Sequence, residues 1–405
     1  MSDFFSSGNA GPSARGDCFV TLTLKESGGI TLDIRSKVRD LFGKSIRDLC
    51  LEMMEYYGIP DAHLSIEDQG ALPFTLRARL EAVVRKAFPD SKPFNITDHS
   101  GAYSPSEKDC FRRSRLYLPG NSPKLMINAG LYAADGVILD LEDSVAPARK
   151  DEARILVRHA LHELDFGKAE RMVRINPFPA GIQDLEMLIP EKVNCVLIPK
   201  CERREDVIRT DLKIKEICSE SGFEYPVYLM PILESARGIL AAKEIAEACD
   251  TVVALAIGLE DLTADLGTRR TNQGNESYVA RSLLVLAARA AGVQAIDSVF
   301  SDISDMDALM KTALESKKMG FDGMGCIHPR QIPVIHDAFA PSSSETEKAQ
   351  AIVMAYEEAE KKGLGVISLG SKMIDAPVLK RAQKTIQLAE TLNRIPKNWR
   401  ETYGK

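Results

Sequence analysis

From residue 113 onward the sequence repeats one unit eight times: a short apolar run rich in β-branched residues, then a stretch long enough for a helix. The runs span residues 116–120, 136–143, 171–177, 195–200, 227–235, 252–261, 294–300 and 322–329. Near-continuous apolar strands that alternate with helices indicate a parallel sheet covered by helices on its outer face. Eight such units close a (β/α)8 (TIM) barrel, which we predict for residues 113–341. A doubly wound open sheet is the alternative that the pattern leaves open.

A small α/β domain is expected before the barrel, in residues 1–88. We predict strands at 18–24, 30–34 and 62–68, and helices at 38–58 and 74–88. Residues 89–112 are rich in proline, serine, aspartate and lysine without periodicity, and they predict a linker between the two domains.

Residues 342–405 predict a C-terminal helical extension that could act as a lid. A helix is expected over 347–363, and turn-rich residues then lead into a second helix. The extension carries few apolar side chains. We therefore expect it to pack on a barrel, its own or a neighbour's, and not around a core of its own.

Composition narrows the classes of function. The net charge of -6 and the pI near 5.7 argue against a nucleic-acid binder, whose affinity depends on clustered positive charge. The chain has no run of about 18 apolar residues that could span a membrane, and its N-terminus has no pattern of a secretory signal. Its eight cysteines form no C-x-x-C pair and no zinc spacing, which suggests reduced thiols in a cytoplasmic protein.

Ionisable side chains stand at the ends of seven of the eight runs. They are Asp140, Glu142, Asp143, Arg174, Lys200, Glu234, Glu260, Asp261, Asp297 and His328. In a parallel barrel the C-terminal ends of all strands open on one mouth, so these groups should converge there. A single acidic residue after a strand is often a helix N-cap, but so many together predict a reactive site.

Two of these acids, Glu234 and Asp261, end the fifth and sixth runs, where their carboxylates can meet. Hard oxygen ligands without histidine or cysteine alongside favour Mg2+, which binds one or two carboxylates and completes its shell with water and substrate oxygens. The acids of residues 140–143 could hold such waters from across the mouth. Helix caps and structural ion pairs are the alternative interpretation of the same residues.

The basic residues each permit two interpretations. Arg174 needs an anion, which could be a ligand carboxylate or the acids of residues 140–143. Lys150 and Arg154 could meet a phosphate-bearing carrier or lie on a solvated helix face. Lys200 could be the Schiff-base lysine of a class I aldolase, although such an enzyme would not need the acidic pair.

Two further residues cannot be given a chemical role from the local pattern. His328 precedes a proline at a strand end, a place that structural and catalytic histidines both occupy. Asp375 precedes Ala-Pro at the start of a helix, and the residues alone favour an N-cap.

Seven stretches that run in order through the barrel and the tail resemble the citrate lyase β-subunit family and its malyl-CoA, citramalyl-CoA and citryl-CoA lyase relatives. The stretches are RSRLYLPGNSPK (113–124), ILDLEDSVAPARKDEAR (138–154), VRINP (173–177), ILESARG (232–238), IGLEDL (257–262), CIHPRQIPVI (326–335) and SKMIDAP (371–377). The resemblance implies a carbon–carbon lyase that cleaves a 3-hydroxyacyl thioester, with Glu234 and Asp261 as the Mg2+ ligands.

The resemblance also implies roles for other residues. Arg174 would hold the carboxylate of the keto acid and take part in catalysis, and Arg115, Lys150 and Glu234 would join it in binding substrate. Asp375 would be the catalytic acid/base, delivered onto the mouth of a neighbouring subunit in a homotrimer, in place of the capping role. A non-catalytic binding protein on a retained barrel is the competing hypothesis.

The first domain resembles the acyl-carrier γ-subunit of citrate lyase, through SIEDQGALPFTLRARLEAVVRKA (65–87) and ARGDCFVTL (14–22). In that family the serine that carries the prosthetic group would stand two residues before Asp17. Arg15 occupies that position, and Ser13 is out of register. Because arginine cannot be esterified, we predict an unmodified domain and a freely diffusing CoA thioester as substrate. A fused carrier–lyase is the alternative.

Overall fold

The N-terminal domain is a four-stranded sheet with two helices. Its elements are β1 (Phe4–Gly8), β2 (Cys18–Leu24), β3 (Ile30–Ser36), α1 (Arg39–Tyr56), β4 (Ala62–Asp68) and α2 (Pro73–Ala87). The sheet order is β1-β2-β4-β3, in which β3 and β4 are parallel and the other pairs are antiparallel. The predicted strands and helices are confirmed. Strand β1 was not predicted, because its sequence FFSSG lacks the apolar–polar alternation of a half-buried strand.

The structure is a computed structural model, and it describes residues 4–96, 103–222, 225–271, 273–361, 367–369 and 372–403. Part of the predicted linker, residues 97–102, lies outside this range. The described part of the linker has no helix or strand but is packed in place. Phe94 and Ile96 are buried in the core of the N-terminal domain, and buried Arg112 pairs with Glu170 at 2.7 Å.

Eight parallel strands close into the predicted barrel. They are β5 (Ser114–Pro119), β6 (Gly136–Asp140), β7 (Glu170–Arg174), β8 (Cys195–Ile198), β9 (Tyr228–Leu233), β10 (Ala254–Ile257), β11 (Gln294–Asp297) and β12 (Gly323–Cys326). Each pairs in parallel with the next, and β12 closes onto β5 through the pair Met324 and Ser114. The (β/α)8 fold is therefore confirmed, and the open-sheet alternative is wrong.

Helices cover the outside of the barrel because alternate strand residues point outward as apolar side chains. They are α3 (Pro123–Met126), α4 (Lys150–Glu163), α5 (Ala180–Leu188), α6 (Arg204–Ser221), α7 (Ala236–Leu240), α8 (Ala242–Ala246), α9 (Leu259–Asp265), α10 (Tyr278–Ala291), α11 (Met306–Met319) and α12 (Gln331–Phe339). On β9, Leu229 and Leu233 join the outer core, whereas Met230 and Ile232 fill the barrel interior.

The N-terminal domain packs directly on the barrel through α2 and α4. Phe74, Ala78 and Ala82 of α2 belong to the same apolar cluster as the outward side chains of the barrel. Beside them, the fully buried Glu81 accepts hydrogen bonds from Arg158 at 3.2 Å and from His159 at 2.7 Å. The barrel core thus extends onto α2 and the two domains share a buried set of charges, while the N-terminal sheet keeps an apolar cluster of its own.

The C-terminal extension comprises α13 (Ser343–Lys361), β13 (Ile367–Leu369), β14 (Lys372–Ile374), α14 (Ala376–Thr391) and α15 (Trp399–Thr402). The expectation that it lacks a core of its own is wrong. Its buried apolar side chains form a separate small cluster, Ala349, Val353, Ala382, Ile386 and Trp399. The single tryptophan supplies much of this cluster, because one indole covers as much area as several small residues.

Two features of the described chain bear on its environment. No helix there combines the length and the apolar character needed to cross a bilayer. All eight cysteines are free thiols, and five of them are buried.

Candidate active site

A cavity of about 720 Å³ opens at the C-terminal ends of the barrel strands. Eight of the ten ionisable residues that were expected to converge line it: Asp140, Asp143, Arg174, Glu234, Glu260, Asp261, Asp297 and His328. The other two, Glu142 and Lys200, form an ion pair with each other. The parallel topology brings these side chains together because every strand delivers its last residues to the same mouth.

Glu234 follows β9 directly and is only 5% exposed. Its Oε1 accepts a hydrogen bond from the backbone N–H of Lys200 at 2.6 Å. Lys200 has a φ of 49°, an uncommon conformation for a residue other than glycine, and such strain is found where a site holds a backbone in place. Burial, and then repulsion from Asp261, raise the pKa of Glu234 to about 7.

Asp261 lies in the first turn of α9, and not on the strand as the run 252–261 suggested. Gly258 connects β10 to this helix. A Cβ atom on Gly258 would lie 2.5 Å from Oε2 of Glu234. The missing side chain therefore gives the buried carboxylate its space between the strand and the helix that carries Asp261.

Two acids that repel each other across an open cavity fit Mg2+. This ion usually takes one or two protein carboxylates and fills its other positions with water and substrate oxygens. A cation between Glu234 and Asp261 would remove their mutual repulsion, which adds to burial in raising the pKa of Glu234. No group of three or more histidine, cysteine, aspartate or glutamate residues in the described chain is arranged to hold a metal, so a closed zinc-type site is absent there.

Arg174 binds the acids of the loop after β6. Its Nε and Nη2 donate to the two oxygens of Asp140 at 2.6 and 2.7 Å, and Nη1 lies 3.0 Å from Glu142 Oε2. Its guanidinium also lies over the ring of Tyr117, 5.5 Å from the centroid. Of the two partners that the sequence left open, the structure shows the acids. Because a guanidinium has five N–H donors, Arg174 keeps donors that a ligand carboxylate could take.

The two lysines near the mouth hold the same loop. Burial lowers the pKa of Lys200, but hydrogen bonds to Glu142 and Asp143 and the attraction of both carboxylates together outweigh burial and raise it. A firmly protonated ammonium is unsuited to a Schiff base, which disfavours the class I aldolase interpretation. Lys150 donates to the carbonyl oxygens of Leu141 and Glu142 at 2.8 and 2.7 Å. Its contact with substrate remains a prediction.

Arg154 does not lie on a solvated helix face, one of the two interpretations offered for it, and its contact with a carrier remains a prediction. It is 5% exposed and pairs with Asp184 at 2.7 Å. The guanidinium therefore joins α4 to α5, at the edge of a cavity that it also lines. A buried arginine on an amphipathic helix cannot be told from an exposed one by spacing alone.

Other polar residues at the mouth have structural partners. Asp297 accepts hydrogen bonds from Arg281 and, at 2.6 Å, from Ser316 Oγ. His328 Nδ1 accepts a hydrogen bond from the backbone N–H of Arg330 at 3.1 Å.

Asp375 caps α14. Its side chain accepts a hydrogen bond from the N–H of Val378 at 3.1 Å. The described residues that line the mouth cavity of the same chain do not include it. Within one chain, then, the structure shows the capping role, and catalysis by Asp375 would require a second subunit.

The sequence did not point to two residues of the site. Tyr117 faces the cavity between the outward Leu116 and Leu118, and the alternation in LYLPG could have shown this. Gly258 carried no signal of its own, because the need for a glycine arises from Glu234, 24 residues earlier in the sequence.

A closed (β/α)8 barrel with ionisable side chains gathered at its C-terminal mouth is the architecture of a barrel enzyme. Residues 113–329 match the family described as HpcH/HpaI aldolase/citrate lyase, and the chain belongs to this family. Residues 6–87 match the acyl-carrier family described as malonate decarboxylase delta subunit (MdcD). Both resemblances expected from the sequence are confirmed at this level.

The relatives include two proteins named as lyases or lyase subunits and one whose crystal structure contains magnesium. The chain is 40% identical to the citrate lyase subunit beta of Haemophilus influenzae over 283 residues, which cover 69% of this chain and 97% of that protein. It is 33% identical to human mitochondrial citramalyl-CoA lyase over 293 residues, 69% and 86% of the two chains. The crystal structure of CitE from Mycobacterium tuberculosis in complex with magnesium, acetoacetate and coenzyme A is 32% identical, with a TM-score of 0.58 over 70% of this chain and 99% of that one.

Proposed function

We propose that the protein is a Mg2+-dependent carbon–carbon lyase that cleaves a 3-hydroxyacyl-CoA thioester into acetyl-CoA and a 2-keto acid. The observation that carries the proposal is the Glu234 and Asp261 pair at the barrel mouth. Two relatives support the reaction class, the citrate lyase subunit beta and citramalyl-CoA lyase. The magnesium and coenzyme A bound in the Mycobacterium tuberculosis protein support the metal and the form of the substrate.

Each residue has a defined task in this reaction. Glu234 and Asp261 would hold Mg2+, which lowers the pKa of the substrate hydroxyl and polarises the carbonyl that forms. Arg174 would hold the carboxylate of the departing keto acid with the donors that Asp140 leaves unused. A base at the mouth takes the hydroxyl proton, and the electrons of the breaking carbon–carbon bond form the thioester enolate. Asp375 from a neighbouring subunit would then return a proton to the acyl carbon.

That use of Asp375 requires a homo-oligomer, which we propose to be a trimer. Large apolar side chains on α7 and α10 support an assembly surface: Leu240, Val279, Leu283 and Leu286 are exposed. Contiguous apolar surface of this kind is uncommon on monomeric proteins. We place the protein in the cytoplasm, whose reducing conditions suit eight free thiols.

The proposed substrate is a free CoA thioester, although a carrier-bound thioester is the alternative. Ser13 and Arg15 are exposed in the loop between β1 and β2, and Gly16 of that loop packs against Lys124 and Ile127 at α3. Leu125 of α3 lines the mouth cavity, so this loop adjoins the mouth. Intact-mass analysis of protein from its native host should give the unmodified mass. A phosphoribosyl-dephospho-CoA adduct on Ser13 would instead favour the carrier–lyase.

The test of the function is a product assay on citryl-, citramalyl- and malyl-CoA that measures acetyl-CoA and the 2-keto acid. We expect Mg2+-dependent cleavage of at least one, with losses of about 100-fold or more in Glu234→Gln and Asp261→Asn, since each removes a metal ligand. Glu260→Gln is the matched control, because Glu260 lies at the same mouth but pairs with Arg270 at 2.8 Å. Full activity in excess EDTA would rule out the metal.

A further inference from the structure

Arg115 is a buried cation on the floor of the mouth cavity, and it lacks an acidic partner. It is the second residue of β5, is 1% exposed and lines the cavity. Its Nη1 lies 2.8 Å from the Sδ atom of Met230, and its Nε has no hydrogen-bond partner. No carboxylate of the described residues forms an ion pair with it.

Five of the other six buried arginines of the described chain are paired with acids, and the sixth, Arg171, donates to the backbone carbonyl oxygens of Leu161 and Glu191. Arg79 binds both oxygens of Asp17 at 2.9 Å. Arg112 binds both oxygens of Glu170 at 2.7 and 2.8 Å. A buried charge is normally paired because desolvation otherwise strongly disfavours it. The Arg115 side chain bonds neither an acid nor a carbonyl oxygen of the described residues, and burial lowers its pKa. Because it lines the cavity, an anion that enters there could serve as its counter-ion.

The residues paired with Arg115 on the neighbouring strands are both glycines. Gly136 on β6 and Gly325 on β12 lie directly beside Arg115 in the barrel register. A Cβ atom on Gly136 would meet Cε of Met172 at 2.7 Å and Cγ of Arg115 at 3.6 Å. Glycine at position 136 therefore leaves space for Met172, beside the stem of Arg115.

The guanidinium lies below the proposed metal site. On β9 and just beyond it, the side chains that point into the barrel are Met230, Ile232 and Glu234 in ascending order. Arg115 contacts Met230, the lowest of the three, and Glu234 is the acid at the mouth. Ile232 lines the cavity between these two levels. A ligand that is held at Glu234 and extends toward the barrel floor would therefore approach Arg115.

We propose that Arg115 binds a second carboxylate of the substrate, carried on the carbinol carbon, so that the preferred keto acid is a dicarboxylate. This inference rests on the proposed function for the position of the reacting carbon. It favours a citryl-type thioester, with a carboxymethyl group, over the methyl group of citramalyl and the hydrogen of malyl thioesters. Those two would leave the buried guanidinium without an anion, and a site built around a polar partner discriminates strongly against analogues that lack it.

The experiment compares the binding of oxaloacetate and pyruvate, which differ by one carboxyl group, to the full-length protein with Mg2+ by calorimetry. We expect oxaloacetate to bind wild type at least about tenfold more tightly, since only it can pair with Arg115. Arg115→Met, of similar length, should lose this preference and keep its pyruvate affinity within about twofold. Arg174→Met is the matched control and should weaken both ligands. Equal affinity of wild type for oxaloacetate and pyruvate, or a preference for oxaloacetate that survives in Arg115→Met, would overturn the proposal.

Thermal unfolding checks the variant. Arg115→Met breaks no ion pair, so its melting temperature should equal or exceed that of wild type. If the variant failed to fold, the oxaloacetate preference of wild type would still decide whether the floor takes an anion. Assays of thioester cleavage distinguish a failure of the lyase proposal from a failure of the proposed anion site at Arg115. An Arg115-dependent preference for oxaloacetate without any thioester cleavage would end the lyase proposal alone, whereas cleavage of citryl-CoA that Arg115→Met leaves unchanged would end the anion site alone.

Discussion

Gly258 lies against the carboxylate of Glu234: a Cβ atom on the glycine would stand 2.5 Å from Oε2 and 2.9 Å from Cβ of Glu234. The glutamate cannot easily retreat, because its Oε1 is held by the N–H of Lys200 at 2.6 Å. Glycine at position 258 thus fixes where one of the two proposed Mg2+ ligands can lie.

Gly258→Ala should weaken Mg2+ binding by about tenfold or more, with a loss of stability of about 1–3 kcal/mol from overpacking. Calorimetric titration with Mg2+ measures the change in Mg2+ affinity, and thermal unfolding measures the loss of stability. Gly43→Ala is the control, because its added methyl group would meet only the flexible side chain of Arg39, at 3.2 Å. Unchanged Mg2+ affinity in Gly258→Ala would show that Glu234 is not a ligand.

Asp375 should act across a subunit boundary. We expect Asp375→Asn and Glu234→Gln to be inactive separately and to regain activity when they are unfolded and refolded together. In a closed ring with random mixing, about a quarter of the sites would combine both intact groups. The thioester cleavage rate of the mixed oligomers, relative to that of wild type, measures the fraction of sites that regain activity.

The choice of asparagine separates chemistry from folding in that test. Asp375 caps α14 through the N–H of Val378, and asparagine is an equally good N-cap. The helix should therefore persist in the variant, as circular dichroism can check. Mixed oligomers without regained activity would mean that Asp375 acts within its own chain or not at all.

His159 should make the contact between the two domains sensitive to pH. It is buried between Glu81 on α2, at 2.7 Å, and Glu163 on its own helix, at 3.5 Å. Burial lowers the pKa of His159, but the hydrogen bonds to Glu163 and Glu81 outweigh burial and raise it above its usual value. A raised pKa in the folded state means that protonation stabilises the fold. This stabilisation is complete below the unfolded pKa of about 6.5 and is lost as pH rises through the folded value.

The melting temperature of wild type should therefore exceed that of His159→Gln most clearly at pH 6, and the difference should shrink as pH rises. His63→Asn is the control, since His63 is on the exposed side of the N-terminal sheet and bonds Thr31. A difference that is constant with pH would assign His159 a packing role without a charge.

The barrel could be predicted because its signal is repeated eight times, so that errors of a few residues at strand ends do not change the count. The convergence of acids at the mouth follows from that topology. Strand β1 gave no comparable signal, because a short edge strand of serine and phenylalanine owes its conformation to pairing with β2. The core of the extension was missed because Trp399 stands beyond the predicted helices, so their apolar spacing did not include it.

The partners of individual side chains were harder to predict. Spacing placed Arg174 at the mouth but could not decide between a ligand and Asp140, since that depends on the register of β6 and β7. Asp261 was assigned to a strand because the apolar run continues into α9. The isolation of Arg115 depends on the absence of acids at one level of the barrel, which becomes visible only when all eight strands are in place.

Whether this mouth breaks a carbon–carbon bond is tested most directly by turnover in D2O, with Mg2+ and the preferred CoA thioester, followed by mass spectrometry of the products. A lyase should release acetyl-CoA and the 2-keto acid in equal amounts. The acetyl methyl group should carry one deuterium, because the enolate carbon takes its new hydrogen from a solvent-exchanged acid. Free CoA together with the intact hydroxy acid would indicate hydrolysis of the thioester and contradict the proposed function.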